Sequence, residues 1–251
     1  MSEWFLRFGA TARDGGVNLF CLPHAGGCAS AYFPWSRALP PFVNLWAVQL
    51  PGREGRIAEP AMTSAGRLSA QIVEAITPLL GERFALFGHS MGALLAFEIA
   101  RGLRDRRLPA PVALFLSGCG APKPRPAANP IHLLPDDGFL AEVRRLGGTP
   151  PTVLADAEMM SLVLPRLRAD IQLYESYSFS GGPALAVPIS AFGGLDDVES
   201  PRDELAGWAR LTTGAFSLQL FPGDHFYLNS QRAALLRAIG GALQGSVGHE
   251  G

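Results

Sequence analysis

The 251 residues carry 21 basic and 22 acidic side chains for a net charge of -1, and 48% of them are hydrophobic. A nearly neutral chain has no field with which to gather a polyanion, which excludes nucleic acid as an expected partner, and no run of about 18 apolar residues offers a membrane span. The length suits one α/β domain over 1–251, with a large core and room for an insertion. Lys123 is the single lysine, so arginine supplies nearly every cationic contact. Met1 to Arg7 lack the basic and then apolar pattern of a secretory signal, and Cys21, Cys28 and Cys119 have neither metal-ligand nor disulfide-framework spacing. A cytoplasmic protein without metal or cofactor is the expectation.

The first strong element is an apolar strand over 17–22 that runs into Pro23-His24-Ala25-Gly26-Gly27. Two glycines let this turn approach another group closely. A loop after an early strand supplies one oxyanion donor in hydrolases built on a nucleophile elbow, which makes the amide of Ala25, with Gly26 beside it, the candidate. His24 precedes the serine motif described next, whereas such hydrolases place their base after it, so His24 reads as a residue that shapes the loop. A short helix near 31–39 and a strand over 43–48 follow. Residues 49–56 have turn chemistry and carry Arg53 and Arg56, either as solvated charges or as charges on a ligand-facing rim. Leu68, Ile72, Val73, Ile76, Leu79 and Leu80 give 64–80 the period of an amphipathic helix.

The organising stretch is 84–100, an apolar run, then Gly88-His89-Ser90-Met91-Gly92, then a helical apolar pattern. Strand, Gly-x-Ser-x-Gly and helix together predict a sharp turn that holds Ser90 at its apex. The strained serine backbone leaves no room for bulk two residues before or after, and Gly88 and Gly92 meet that demand. The amide of Met91 then sits at a helix N-terminus, where free N–H groups favour a developing oxyanion.

Another strand is expected over 112–117, and the alternation of strands and helices argues a mostly parallel sheet flanked by helices. The rhythm then breaks. From 121 to 183 a Pro-rich approach (Pro122, Pro124, Pro126, Pro130, Pro135) leads into helical stretches near 136–145, 156–164 and 166–177. A helical insertion at this point predicts a lid over the catalytic face. The sheet resumes over 187–192 and ends in Gly193-Gly194-Leu195-Asp196-Asp197, where the acid of a triad belongs, and spacing leaves Asp196 and Asp197 both open. A last strand over 216–221 leads to His225. The other histidines after Ser90 are His132, in the Pro-rich approach, and His249, in the polar tail, which makes His225 the base. A helix over 231–243 closes the fold.

With these motifs in place the chain resembles a type II thioesterase, the separate editing thioesterase associated with modular polyketide and nonribosomal peptide synthases. The resemblance rests on Leu22-Pro23-His24-Ala25-Gly26-Gly27, on Gln49-Leu50-Pro51-Gly52-Arg53-Glu54 with Arg56, on Phe87-Gly88-His89-Ser90-Met91-Gly92 and on Pro222-Gly223-Asp224-His225-Phe226-Tyr227-Leu228. Leu162-Val163-Leu164-Pro165 and Leu167-Arg168-Ala169-Asp170 extend it into the insertion. It implies an α/β-hydrolase fold and hydrolysis of acyl groups carried as thioesters on the phosphopantetheine arm of an acyl or peptidyl carrier protein.

The resemblance also implies a Ser90–His225–Asp197 triad with oxyanion amides from Ala25 and Met91. In such sequences the catalytic aspartate lies three residues after a strand-end glycine and about eleven before a tryptophan, which from Gly194 and Trp208 selects Asp197; Val198 stands where proline is frequent. A monomer is expected, with Arg53, Arg56, Arg144 and Arg145 as candidates for meeting an acidic carrier. A small-molecule carboxylesterase would keep the same triad, a type I releasing thioesterase would end a far longer chain, and a noncatalytic binding protein would need no intact triad.

Overall fold

The computed structural model describes residues 3–9, 16–80, 83–124 and 129–247, so Pro126 and His249 lie outside the described residues. Seven strands form one sheet: β1 (Phe5–Phe8), β2 (Val17–Leu22), β3 (Val43–Val48), β4 (Phe84–His89), β5 (Leu114–Ser117), β6 (Ile189–Gly194) and β7 (Phe216–Phe221), in the order β1-β3-β2-β4-β5-β6-β7. Only β1 runs antiparallel to its neighbour. Eight helices accompany them among the described residues: α1 (Ala65–Ile76), α2 (Met91–Asp105), α3 (Asp136–Leu146), α4 (Pro151–Leu154), α5 (Ala157–Glu175), α6 (Arg202–Ala206), α7 (Tyr227–Ser230) and α8 (Arg232–Val247).

The central strands read as continuous apolar runs because both faces of the sheet are covered. Alternate residues divide between two cores, as a period of two requires. Phe20, Leu22, Phe84, Leu86, Leu114 and Leu116 join the face packed by Leu68, Ile72 and Val73 of α1 and Leu94, Leu95 and Ile99 of α2. Leu19, Cys21, Ala85, Phe87 and Phe115 join the opposite face with Leu235, Leu236 and Ile239 of α8. Truncating any of these fully buried leucines to alanine is expected to cost about 2–5 kcal/mol.

No strand lies in the described part of 121–183, which contains α3, α4 and α5. Here the structure departs from the expected pair of helices at 156–164 and 166–177. One helix, α5, continues through Pro165. Proline removes one ladder hydrogen bond and costs about 3 kcal/mol in a helix interior; burial of Met160, Leu167, Ile171 and Leu173 on either side offsets it. The helix expected near 31–39 is a 3-10 helix at Ala29–Arg37 containing Pro34. β1, α4, α6 and α7 are additional elements that the sequence pattern did not reveal. No helix among the described residues is long and apolar enough to cross a membrane.

Candidate active site

In a parallel sheet the carboxyl ends of the strands lie at one edge, and ligands gather there. β2 ends at the His24–Gly27 loop, β4 at Ser90, β6 at the loop carrying Asp197 and β7 at the loop carrying His225. The topology thus brings together residues as far apart in the chain as His24 and His225.

Ser90 occupies φ 54°, ψ -121°, a left-handed conformation rare for a residue with a side chain and costing about 1–3 kcal/mol. The two glycines of the motif permit it. A Cβ on Gly88 would overlap the carbonyl oxygen of Gly92, and one on Gly92 would overlap that of Leu22. The amide of Ser90 donates to Ser117 O at 2.8 Å, which ties the elbow to the neighbouring strand. Because the Ala93 amide is the first to bond back, to Ser90 O at 2.9 Å, the amide of Met91 opens the unsatisfied first turn of α2.

His225 Nδ1 donates to Asp197 Oδ2 at 2.9 Å. The other carboxylate oxygen of Asp197 accepts the amides of Glu199 and Ser200 at 2.9 and 3.2 Å. Burial pushes this carboxyl upward, but the hydrogen bond and charge of His225 and the two amides outweigh it and hold its pKa below the ordinary 3.8. Asp197 is therefore ionised at neutral pH. Asp196 is exposed and its backbone amide donates to Gly223 O, whereas the carboxylate bonded to His225 is that of Asp197.

Two further histidines pack close by. His89 is fully buried with its ring centroid 5.0 Å from that of His225, and His24 lies 6.0 Å from His89 and 5.1 Å from Phe226. Burial first, and then repulsion from the neighbouring histidines, pushes the pKa of His89 well below 6.5. Burial first, with the charges of His225 and Arg53 behind it, brings His24 down to about 4. Both rings are neutral at pH 7. His89 Nδ1 shares a hydrogen bond with Ser117 Oγ at 2.9 Å, and Ser117 Oγ another with Tyr227 OH at 2.6 Å, a buried chain built from residues far apart in the chain that no local pattern links. Gly118, at φ +56°, is required beside it, since a Cβ there would stand 2.5 Å from the His89 ring and 3.4 Å from that of His225.

The His24 carbonyl accepts the Gly27 amide at 2.9 Å, which closes the loop on itself. The Gly26 amide is already engaged by Asp170 Oδ2 at 2.8 Å, and Ala25 lines the cavity. That cavity, of about 350 Å³, is lined by Ser90, Met91, Ala25 and His225 at its base. Val143 and Leu146 of α3 and Leu167, Ile171 and Tyr174 of α5 form its apolar walls. No group of three or more His, Cys, Asp or Glu suited to a metal ion occurs among the described residues.

The arginines divide. Arg53 and Arg56 are not on the rim; they are 5% and 8% exposed and bind inward. Arg53 pairs with Asp170 at 2.7 Å, while Arg56 donates to Glu59 and to Gln49 O and lies 3.9 Å over the Trp4 ring. Planar guanidinium forks suit such fixed acceptors, which is why two charges in a turn-like segment are buried. Arg144 and Arg145 are exposed on α3, and Arg145 reaches both Glu142 and Glu199.

Residues 17–243 match the family described as "Thioesterase domain". The chain is similar to the gramicidin S biosynthesis protein GrsT of Aneurinibacillus migulanus, 42% identical over 236 residues that span 94% of this chain and 92% of that protein. It is similar to the thioesterase PikA5 of Streptomyces venezuelae, 44% identical over 229 residues, 91% and 81% of the two chains. Among solved structures, the type II thioesterase BorB from the borrelidin biosynthetic cluster superposes with a TM-score of 0.87 at 38% identity, covering 96% of this chain and 97% of that one.

Proposed function

The chain belongs to the thioesterase-domain family, and from that premise we propose that it is a type II thioesterase that hydrolyses acyl groups from the phosphopantetheine arm of acyl or peptidyl carrier proteins, editing stalled or misprimed polyketide or nonribosomal peptide synthases. The observation that carries the reading is the pairing of His225 with Asp197 at 2.9 Å above the same cavity that Ser90 enters from a strained elbow.

In this reading Ser90 Oγ attacks the thioester carbonyl carbon while His225 Nε2 takes its proton. Asp197 holds the imidazole in the tautomer that leaves Nε2 free and stabilises the imidazolium that forms. The amides of Met91 and Ala25 receive the oxyanion. As the C–S bond breaks, His225 returns the proton to the pantetheine sulfur and an acyl ester remains on Ser90. Water then attacks that ester with His225 again acting as base, and releases a carboxylic acid and free Ser90. The apolar walls from α3 and α5 would receive the acyl chain, and 121–183 would act as a lid within a single 1–251 domain. A monomeric cytoplasmic enzyme fits this role.

The test is to load one acyl group onto a carrier protein and to compare its hydrolysis with that of the matching pantetheine thioester and oxygen ester, alongside labelling of Ser90 by a fluorophosphonate. Preference for the carrier-bound thioester supports the reading. Equal or better turnover of the oxygen ester would make the protein a carboxylesterase, and absence of labelling would make it a noncatalytic binder.

A further inference from the structure

A buried ion pair couples the insertion to the loop that bears Ala25. Asp170, on α5, is 2% exposed, and its partner Arg53, after β3, is 5% exposed. The pair is bidentate: Arg53 Nη1 donates to Asp170 Oδ2 at 2.8 Å and Nη2 to Oδ1 at 2.7 Å. Neither residue lines the cavity. What the pair touches is the Gly26–Gly27 turn, where Asp170 Oδ2 accepts the Gly26 amide at 2.8 Å and Arg53 Nη1 donates to Gly27 O at 3.0 Å. Gly26 is held at φ +75° with Leu167 packed so close that a Cβ would meet its Cδ1 at 3.0 Å.

We infer that Asp170 is a positioning residue for the reaction, setting the direction of the Ala25 amide by fixing the peptide unit that follows it. The geometry carries this. The Gly26 N–H fixes the plane of the Ala25–Gly26 peptide, and the bond from the Gly27 amide to His24 O fixes the carbonyl of the residue before Ala25. The Ala25 amide is thereby bracketed on both sides, and an oxyanion donor must be aimed before the charge develops. Stability alone accounts poorly for such a pair, because a buried ion pair commonly does no better than an apolar replacement of the same volume. Arg53 Nε is moreover buried without a hydrogen-bond partner.

This inference rests on the thioesterase reading above, and its test separates the two. Arg53→Met/Asp170→Asn and Arg53→Met/Asp170→Leu both remove the charge pair, but only the first keeps an acceptor for the Gly26 amide. Both should unfold at similar temperatures. On a pantetheine thioester the Leu variant should show kcat about tenfold or more below that of the Asn variant, with KM changed far less. Equal kcat in the two would overturn the inference. Amide exchange in the wild-type protein decides independently of folding in the variants: Gly26 and Gly27 should exchange as slowly as the turn of α5 around Asp170, and rapid exchange at Gly26 beside a protected α5 would also overturn it. If the wild-type enzyme turned over no thioester, the thioesterase reading would fall while the exchange result stood.

Discussion

Asp197 grips His225 with one carboxylate oxygen and its own loop with the other, Oδ2 taking Nδ1 at 2.9 Å and Oδ1 the amides of Glu199 and Ser200. The acid is therefore fixed in place before it fixes the base. Asp197→Asn should leave the loop bonds through its remaining carbonyl but present the wrong partner to the imidazole. Turnover should fall by up to about four orders of magnitude, as in a related triad. Asp196→Asn, at an exposed position, should change kcat by less than about threefold. Steady-state kinetics on one thioester ranks the two, and the reverse order would move the acid to Asp196.

Ser90 and His225 should behave as one unit. Ser90→Ala and His225→Ala should each abolish acyl-thioester hydrolysis, and the double variant should be no worse than either, since neither group works without the other. Ser90→Ala should also unfold at or slightly above the wild-type temperature, because alanine at φ 54° keeps the strain while no core contact is lost. A double variant much slower than both singles would show that the two residues serve separate steps.

Much of this site could be read in advance because its signals are local. Strand, Gly-x-Ser-x-Gly and helix are contiguous around Ser90, and 17–22, 43–48 and 216–221 are strands at their expected bounds. His225 follows from position after the last strand. What escaped was whatever depends on residues far apart in the chain. Asp170 meets Gly26 across 144 positions, and Ser117 meets Tyr227 across 110. Arg53 and Arg56 sit in a Gly- and Pro-containing turn that resembles any solvated loop, and only their distant or backbone acceptors turn them inward. β1 escaped for another reason: four residues on an edge, with Leu6 and Arg7 exposed, carry too little periodicity to register.

The neutral histidines tie stability to pH. His24 titrates at about 4 in the folded protein against 6.5 when unfolded, so between these values the unfolded chain binds a proton that the folded one refuses. Its contribution is complete above 6.5 and is lost as pH falls toward 4. It amounts to at most about 3 kcal/mol, reduced by solvent reaching the ring from the cavity. His89 acts in the same direction and extends the loss to lower pH, whereas the Asp197 carboxyl titrates below 3.8, beneath this window. Urea unfolding at pH 7.5 and 4.5 should show a smaller drop for His24→Gln than for wild type. Equal drops would remove His24 from the acid sensitivity.

The two exposed arginines of α3 should separate carrier docking from cavity architecture. Arg144 is exposed on α3, whereas Arg145 Nη1 joins Glu199 at 2.5 Å, spanning from α3 to the loop that carries Asp197. An acidic carrier would sense Arg144 by charge alone. Arg144→Ala should raise KM for an acylated carrier protein severalfold and flatten its salt dependence, with hydrolysis of a small pantetheine thioester unchanged. Arg145→Ala should affect both substrates, because it also frees α3 from the Asp197 loop and alters a residue that lines the cavity. Carrier and pantetheine kinetics at two ionic strengths distinguish the cases. If Arg144→Ala slowed both substrates equally, its effect would lie in the packing of α3, and if it slowed neither, the carrier would dock elsewhere.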